Sequence, residues 1–291
     1  MRALLLAALA ALPAFAEEAG RTGLDDAQVQ RVHVVERRPF TEAGRWEISV
    51  FAPVQVNPKF TVHAGVTAEV AYHLRENLAA QLGVIWFPIA RQSGLSEELT
   101  AKANEVPQTA SAFLLQGAAL LGFELMPVYG KLNVFDGKIL RLGFYLNASL
   151  GVAKTRLQLL PSTSEFGRQY GDTGFRPMGS LGAGFRVFVS ERFTVRIEVR
   201  DLAYSGYASK VNGCTVEDTD LIRRFADGAY PAGTAPGAGC DVSAFGKYDP
   251  ASPESKRLIQ ATASGAWSLL GNPSADVINN VVFQGGVSWL F

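Results

Sequence analysis

Histidine is the side chain best placed to move a proton or hold a metal near neutral pH, and this chain has three, His33, His63 and His73. In an extended backbone rising ~3.3 Å per residue, His63 and His73 stand about 33 Å apart, too far to share one ion or one substrate. They read as a rim residue and a turn residue, and no metal site is expected. The glycine pairs Gly182-Ala183-Gly184 and Gly285-Gly286 precede no helix, so a phosphate-cradling loop is not expected either. They suit bends or places where chains cross closely. Asp218 and Asp220 lack the spacing of a calcium-binding loop and read as part of a solvated one. Cys214 and Cys240 are the only cysteines. No Cys or His lies between them to complete a metal site, so in an exported chain they are expected to form a disulfide. None of these residues implies a cofactor.

The N-terminus points to export. Met1 and Arg2 form a short basic start, residues 3–12 are apolar, and Ala14-Phe15-Ala16 has the small-x-small pattern of a cleavage site. Residues 1–16 therefore read as a signal peptide, 17–44 as a polar periplasmic segment and 45–291 as the folded domain. The apolar run is shorter than the ~20 residues a spanning helix requires. The chain holds 27 Lys plus Arg against 27 Asp plus Glu, with no basic block, so nucleic acid is not an expected partner.

The elements that must position these residues show in the hydrophobic period, which from residue 45 is two, the signature of strands. Over 61–73, Val62, Ala64, Val66, Ala68, Val70 and Tyr72 fall on one face, while His63, Thr67, Glu69 and His73 fall on the other. The same division runs through 139–153, 175–190 and 193–201, and more weakly through 45–51, 78–87, 111–125 and 277–291. Residues 111–128 are apolar enough to suggest a membrane helix, but Gln116, Glu124 and interrupting Gly and Pro favour a strand. The connections alternate. Those at 74–77, 126–138 and 191–192 form one set, with 126–138 longer than usual for a turn, and the longer ones at 52–60, 88–110, 154–174 and 204–276 form the other. Several strands exceed the ~9–11 residues that cross a bilayer, and the polar face is rich in Gly, Ser, Thr and Asn. The expected fold is all-β: an eight-stranded antiparallel transmembrane up-and-down β-barrel in a bacterial outer membrane, its N- and C-termini periplasmic and its oily face turned to lipid. His63 and His73 then point away from lipid, which speaks against a Ser/His/acid site on the outer face.

Eight strands enclose a lumen that side chains fill. Arg141, Arg186, Arg196 and Arg200 lie on the polar face and must be compensated there by Glu69, Glu124 and Glu198. Trp46, Tyr72, Trp86, Phe175, Phe193, Tyr204, Trp289 and Phe291 sit near strand ends, where interfacial girdles are expected. The last strand alternates as Val281, Phe283, Gly285, Val287, Trp289 and Phe291 and ends on Phe. It resembles the C-terminal signal read by outer-membrane barrel assembly machinery, with Phe283, Val287, Trp289 and Phe291 as the residues read.

Five stretches carry a wider resemblance: Val35-Glu36-Arg37-Arg38, Gly44-Arg45-Trp46-Glu47, Ala71-Tyr72-His73-Leu74, Pro127-Val128-Tyr129-Gly130-Lys131-Leu132 and Glu198-Val199-Arg200-Asp201. Through them the chain resembles the outer-membrane β-barrel domain proteins of myxobacteria, over most of the mature chain except 206–276. The resemblance implies the barrel fold and carries no chemistry.

The connection 204–276 is far longer than ordinary loops, which marks it as functional or disordered. Gly, Pro and Ala crowd 227–239. Further on, Ser252-Pro253-Glu254 offers a helix start, Ile259, Ala263, Ala266, Trp267 and Leu270 recur at helical spacing, and Gly271 offers a stop. A short amphipathic helix is expected at the barrel mouth, on the rim or on the outer leaflet. The expected role is structural or surface-interacting, without catalysis, with membrane lipid, lipopolysaccharide and an extracellular partner as contacts. A narrow small-solute channel is the first alternative, and a lipid-modifying outer-membrane enzyme the second.

Overall fold

The computed structural model describes residues 41–58, 60–103, 113–134, 138–271 and 277–291. The signal peptide, most of the N-terminal segment, His33 and Val35-Glu36-Arg37-Arg38 lie outside the described residues. β-Branched and aromatic residues alternating with small polar ones give eight strands: β1 (Trp46–Gln55), β2 (Thr61–Arg75), β3 (Leu78–Gln92), β4 (Phe113–Val134), β5 (Lys138–Leu160), β6 (Gln169–Phe188), β7 (Phe193–Ser205) and β8 (Val277–Leu290). Each pairs antiparallel with the next, and β8 pairs with β1 to close the ring. The hydrogen-bonded register runs from Trp46 through Tyr72, Ala80, Phe123, Ala148, Leu181, Asp201 and Val281 and returns to Val56, ten residues along the chain from its start. That stagger tilts the strands against the barrel axis, as closure of so few strands requires. The fold is the expected eight-stranded antiparallel up-and-down barrel.

The strands outrun the segments whose alternation announced them. β4 continues to Val134 and β5 begins at Lys138, so most of 126–138 is strand rather than a long turn. Pro127, which has no N–H for a ladder, falls where the register breaks between Leu125 and Val128. β3 reaches Gln92, β5 reaches Leu160 and β6 starts at Gln169, which shortens the connections at the opposite end. After β3 comes a helix the hydrophobic pattern does not announce, α1 (Gly94–Ala103), preceded by Ser93, whose hydroxyl takes the Ser96 N–H.

The connection between β7 and β8 is folded into a cap. It contains α2 (Val216–Arg224), a 3-10 turn (Val242–Phe245) and α3 (Pro253–Gly271), and Cys214 is joined to Cys240 by the expected disulfide. Thr215 and Asp218 form a capping box at the start of α2. Asp218 also accepts the Gly237 N–H at 2.8 Å. Burial works to raise the pKa of its carboxyl, but the Thr215 and Gly237 N–H groups hold it below the usual carboxylate value. Asp220 pairs with Arg223 and Arg224. α3 occupies the span that its start and stop signals mark, and it buries Ile259, Ala263, Ala266 and Leu270. Trp267 departs from that face: it is 40% exposed, with the Arg223 guanidinium 4.1 Å from its ring. Gly265 lets α3 close onto the barrel, since a Cβ there would stand 2.3 Å from the Leu159 carbonyl of β5. The helix is thus part of the mouth and does not lie flat on a leaflet.

Candidate functional site

Strand parity sorts the wall. On β1 it turns Ile48, Val50 and Val54 outward and Glu47, Ser49 and Gln55 inward. The inward positions of several strands bring charged groups together in the half of the lumen near Trp46. Arg196 donates to Glu47 at 3.2 Å, to the Ser49 hydroxyl at 3.4 Å, to Glu124, and through Nε to the Tyr145 hydroxyl at 3.3 Å. Arg186 reaches Glu124 at 2.6 Å and Glu47 at 3.0 Å, with Glu42 at 3.6 Å. The Tyr145 hydroxyl donates to Glu198 at 2.9 Å, and Arg200 joins Glu198 to Glu69, the latter at 2.6 Å. His73 Nε2 lies 2.7 Å from Glu47 and its Nδ1 3.6 Å from Glu42. All these side chains are buried. An ion left alone there would be strongly destabilising, whereas in this network each charged side chain lies against an opposite one, and the contacts tie β1, β2, β4, β5, β6 and β7 across the lumen. Gly184 makes room for the hub: a Cβ on it would meet the Tyr145 ring at 2.6 Å.

Six of the seven charged residues picked from the polar faces, Glu69, Glu124, Arg186, Arg196, Glu198 and Arg200, meet in this network. Arg141 lies toward the β4–β5 turn, opposite Lys131 and Phe188 in the register, and is only half-buried. Glu42, Glu47, His73 and Tyr145 also belong to the network; the strand pattern marks His73 only as a rim or turn residue and does not place the other three in a charge network. Glu47 and Tyr145 carry the same parity signal as Glu69. Glu42 precedes the first strand and carries none.

His63 is buried too, so neither strand histidine is a rim or turn residue. Its Nε2 accepts the Leu115 backbone N–H at 2.9 Å, which places the ring proton on Nδ1, and Nδ1 donates to Gln55 Oε1 at 2.8 Å. Gln55 Nε2 donates to Asn280 Oδ1, and Asn280 Nδ2 to the Tyr204 hydroxyl, both at 3.1 Å. This directed chain occupies both imidazole nitrogens with protein partners. It also explains Tyr204, which was expected in an interfacial girdle: its parity matches Arg200 and Leu202, and it is buried.

Toward the cap the lumen turns apolar. Phe87, Phe113, Leu115 and Leu202 of the barrel form one cluster with Val211, Ile222, Phe245, Ile259 and Ala266 of the cap. Arg176 lies beneath it, donating to the Tyr207 carbonyl and to the Thr155 hydroxyl at 2.9 Å, its guanidinium 4.7 Å from the Phe113 ring. Beside the cap, Glu97 of α1 takes hydrogen bonds from Arg168 at 2.9 Å, Gln158 at 3.3 Å and Ser162. Burial works to raise its pKa, but these donors hold the carboxyl at about 2.

The outer wall is the reverse of the lumen. Trp86, Leu121, Leu150, Phe175 and Leu181 stand 62–75% exposed on it. At the end holding both barrel termini, Trp46 lies 5.0 Å from Tyr72 and Phe193 6.5 Å from Trp289 between ring centroids, and Phe291 is exposed. Trp86 and Phe175 face outward nearer the cap, on one line of register through Gly117 and Lys154.

No family model and no curated protein matches the chain. Among solved structures it is similar to the N-terminal β-barrel domain of OprF from Pseudomonas aeruginosa, at 10% identity and a TM-score of 0.33 over 86% of this chain and 98% of that one. It is similar to Ail, the attachment invasion locus protein of Yersinia pestis, at 10% identity and 0.34 over 86% and 99%. The outer-membrane protein OprG from Pseudomonas aeruginosa matches at 12% identity and 0.30 over 87% and 98%. Likenesses this low leave the fold to be read from this chain's own closed ring of strands.

Proposed function

We propose that this chain is an outer-membrane protein with a structural or surface-interaction role: a sealed barrel carrying a folded cap outside the cell. The observation that carries the reading is the inversion of the wall, with the charges networked inside and an apolar belt exposed outside. In water such a belt is an aggregation site, whereas in a bilayer it is solvated by acyl chains. In this reading the end with both barrel termini faces the periplasm and the cap faces out. Membrane lipid and lipopolysaccharide surround the belt, and an extracellular partner meets the cap. Phe283, Val287 and Trp289 alternate along the outward face of β8 and the exposed Phe291 follows it, which suits recognition by the barrel assembly machinery. The charge network and the apolar cluster each fill the lumen, which disfavours a channel. A lipid-modifying enzyme is disfavoured because the buried histidines are engaged by protein groups. Two experiments test the proposal. Fractionation with protease treatment of intact cells should find the chain in the outer membrane with only the cap side accessible; recovery in the soluble fraction would overturn it. Planar-bilayer recording of purified protein should give no discrete conductance steps, and reproducible steps would favour the channel.

A further inference from the structure

Asp201 stands out on the outer wall. Its neighbours in register are Leu181 and Val281, and its parity matches the exposed Val195, Ile197 and Val199 rather than the buried Arg200 and Leu202. Counting along the register from Trp46, at ~3.3 Å per residue and a ~40° tilt, places it on the order of 15–20 Å above the Trp46 end. That is within an apolar belt ~25 Å tall. An ionisable group at such depth is costly and marks a functional site by default. Oδ1 is buried and has no hydrogen-bond partner, and the Leu202 backbone N–H is the one donor that the protein supplies to the carboxyl.

Asp201 lines an outward groove of about 520 Å³ that crosses β4 to β7, with Phe123, Leu150 and Leu181 as its walls and Gly179 and Ala203 among the small residues that form its floor. The volume falls within the range of small-ligand sites. Two barrels are convex and meet along a line, so a second copy of this chain would not fill a groove spanning four strands; a flexible chain would. We propose that the groove holds one saturated acyl chain of a membrane lipid whose head end carries a hydrogen-bond donor, a hydroxyl or an amide N–H, received by Asp201. The inference rests on the outer-membrane reading above.

The test uses the full mature chain, purified in detergent and shown folded by heat-dependent migration, with methyl 3-hydroxytetradecanoate and methyl tetradecanoate as probes and native mass spectrometry as the readout. One added hydrogen bond predicts about tenfold stronger retention of the hydroxylated ester. Asp201→Val should abolish that preference and still retain both esters. Gly179→Leu should lose both, because a Cβ at Gly179 meets only Leu150, at 3.7 Å, so the larger side chain fills the groove without disturbing the fold. Equal retention of the two esters by the wild type would overturn the proposal, as would full retention by Gly179→Leu. A dimer that Gly179→Leu abolishes would overturn it in favour of a copy-to-copy contact. Membrane fractionation of the same variants separates this failure from failure of the outer-membrane reading.

Discussion

Arg196 touches Glu47, Ser49, Glu124 and Tyr145 at once, so Arg196→Leu removes the guanidinium that two buried carboxylates share. Its expected cost is ~3–5 kcal/mol. Tyr145→Phe removes one hydroxyl that accepts from Arg196 and donates to Glu198, for a cost of ~1–3 kcal/mol. Urea unfolding from lipid vesicles measures both, and a smaller cost for Arg196→Leu would contradict the network's central place. Alternation in the sequence assigns a side chain to the lumen but says nothing of its depth. That is why Glu69 and Arg200 were legible while Arg141, on the same face, lies off toward a turn. The protonated nitrogen of His63 was not legible, because Leu115, which fixes it, is 52 residues away.

At the scale of elements, period-two alternation marked all eight strands but not their full lengths, because alternation fades once one side no longer meets a uniform medium. α3 was legible from Pro253 and Gly271. α2 went unread although Thr215 and Asp218 spell its capping box, since a helix of nine residues adds little hydrophobic period. The cap yields two predictions. Replacing both Cys214 and Cys240 by Ser releases a constraint worth at most ~3–4 kcal/mol to the unfolded loop. Protease on intact cells should then cut within the cap while the barrel keeps its heat-dependent migration, and a variant that fails to insert would contradict a barrel that stands without its cap. The second prediction concerns Glu97, whose carboxyl is held at about 2 against an ordinary 4.5. A lowered pKa contributes stability that is present above about 4.5 and lost as pH falls toward about 2. The protection of the α1 amides against exchange, taken relative to an unstructured peptide at the same pH, should therefore fall as the pH drops across that window and stay level above it. Unchanged protection at pH 3 would contradict the anchoring of α1 by Arg168 and Ser162.

For the whole molecule the account depends on which solvent each face meets. Leu121 is 65% exposed near the middle of the belt, and Leu74 is 49% exposed at the Trp46 end. A lipid-facing Arg costs ~2–4 kcal/mol at the bilayer midplane and ~0–1 near an interface. In water the two positions would be equivalent, since an Arg on an exposed face is solvated at either. The deciding measurement is the equilibrium folding free energy of Leu121→Arg and Leu74→Arg in lipid vesicles, each against wild type. The predicted result is a loss of ~2–4 kcal/mol for Leu121→Arg and no more than ~1 kcal/mol for Leu74→Arg; equal losses, or none at Leu121, would contradict a wall that faces lipid.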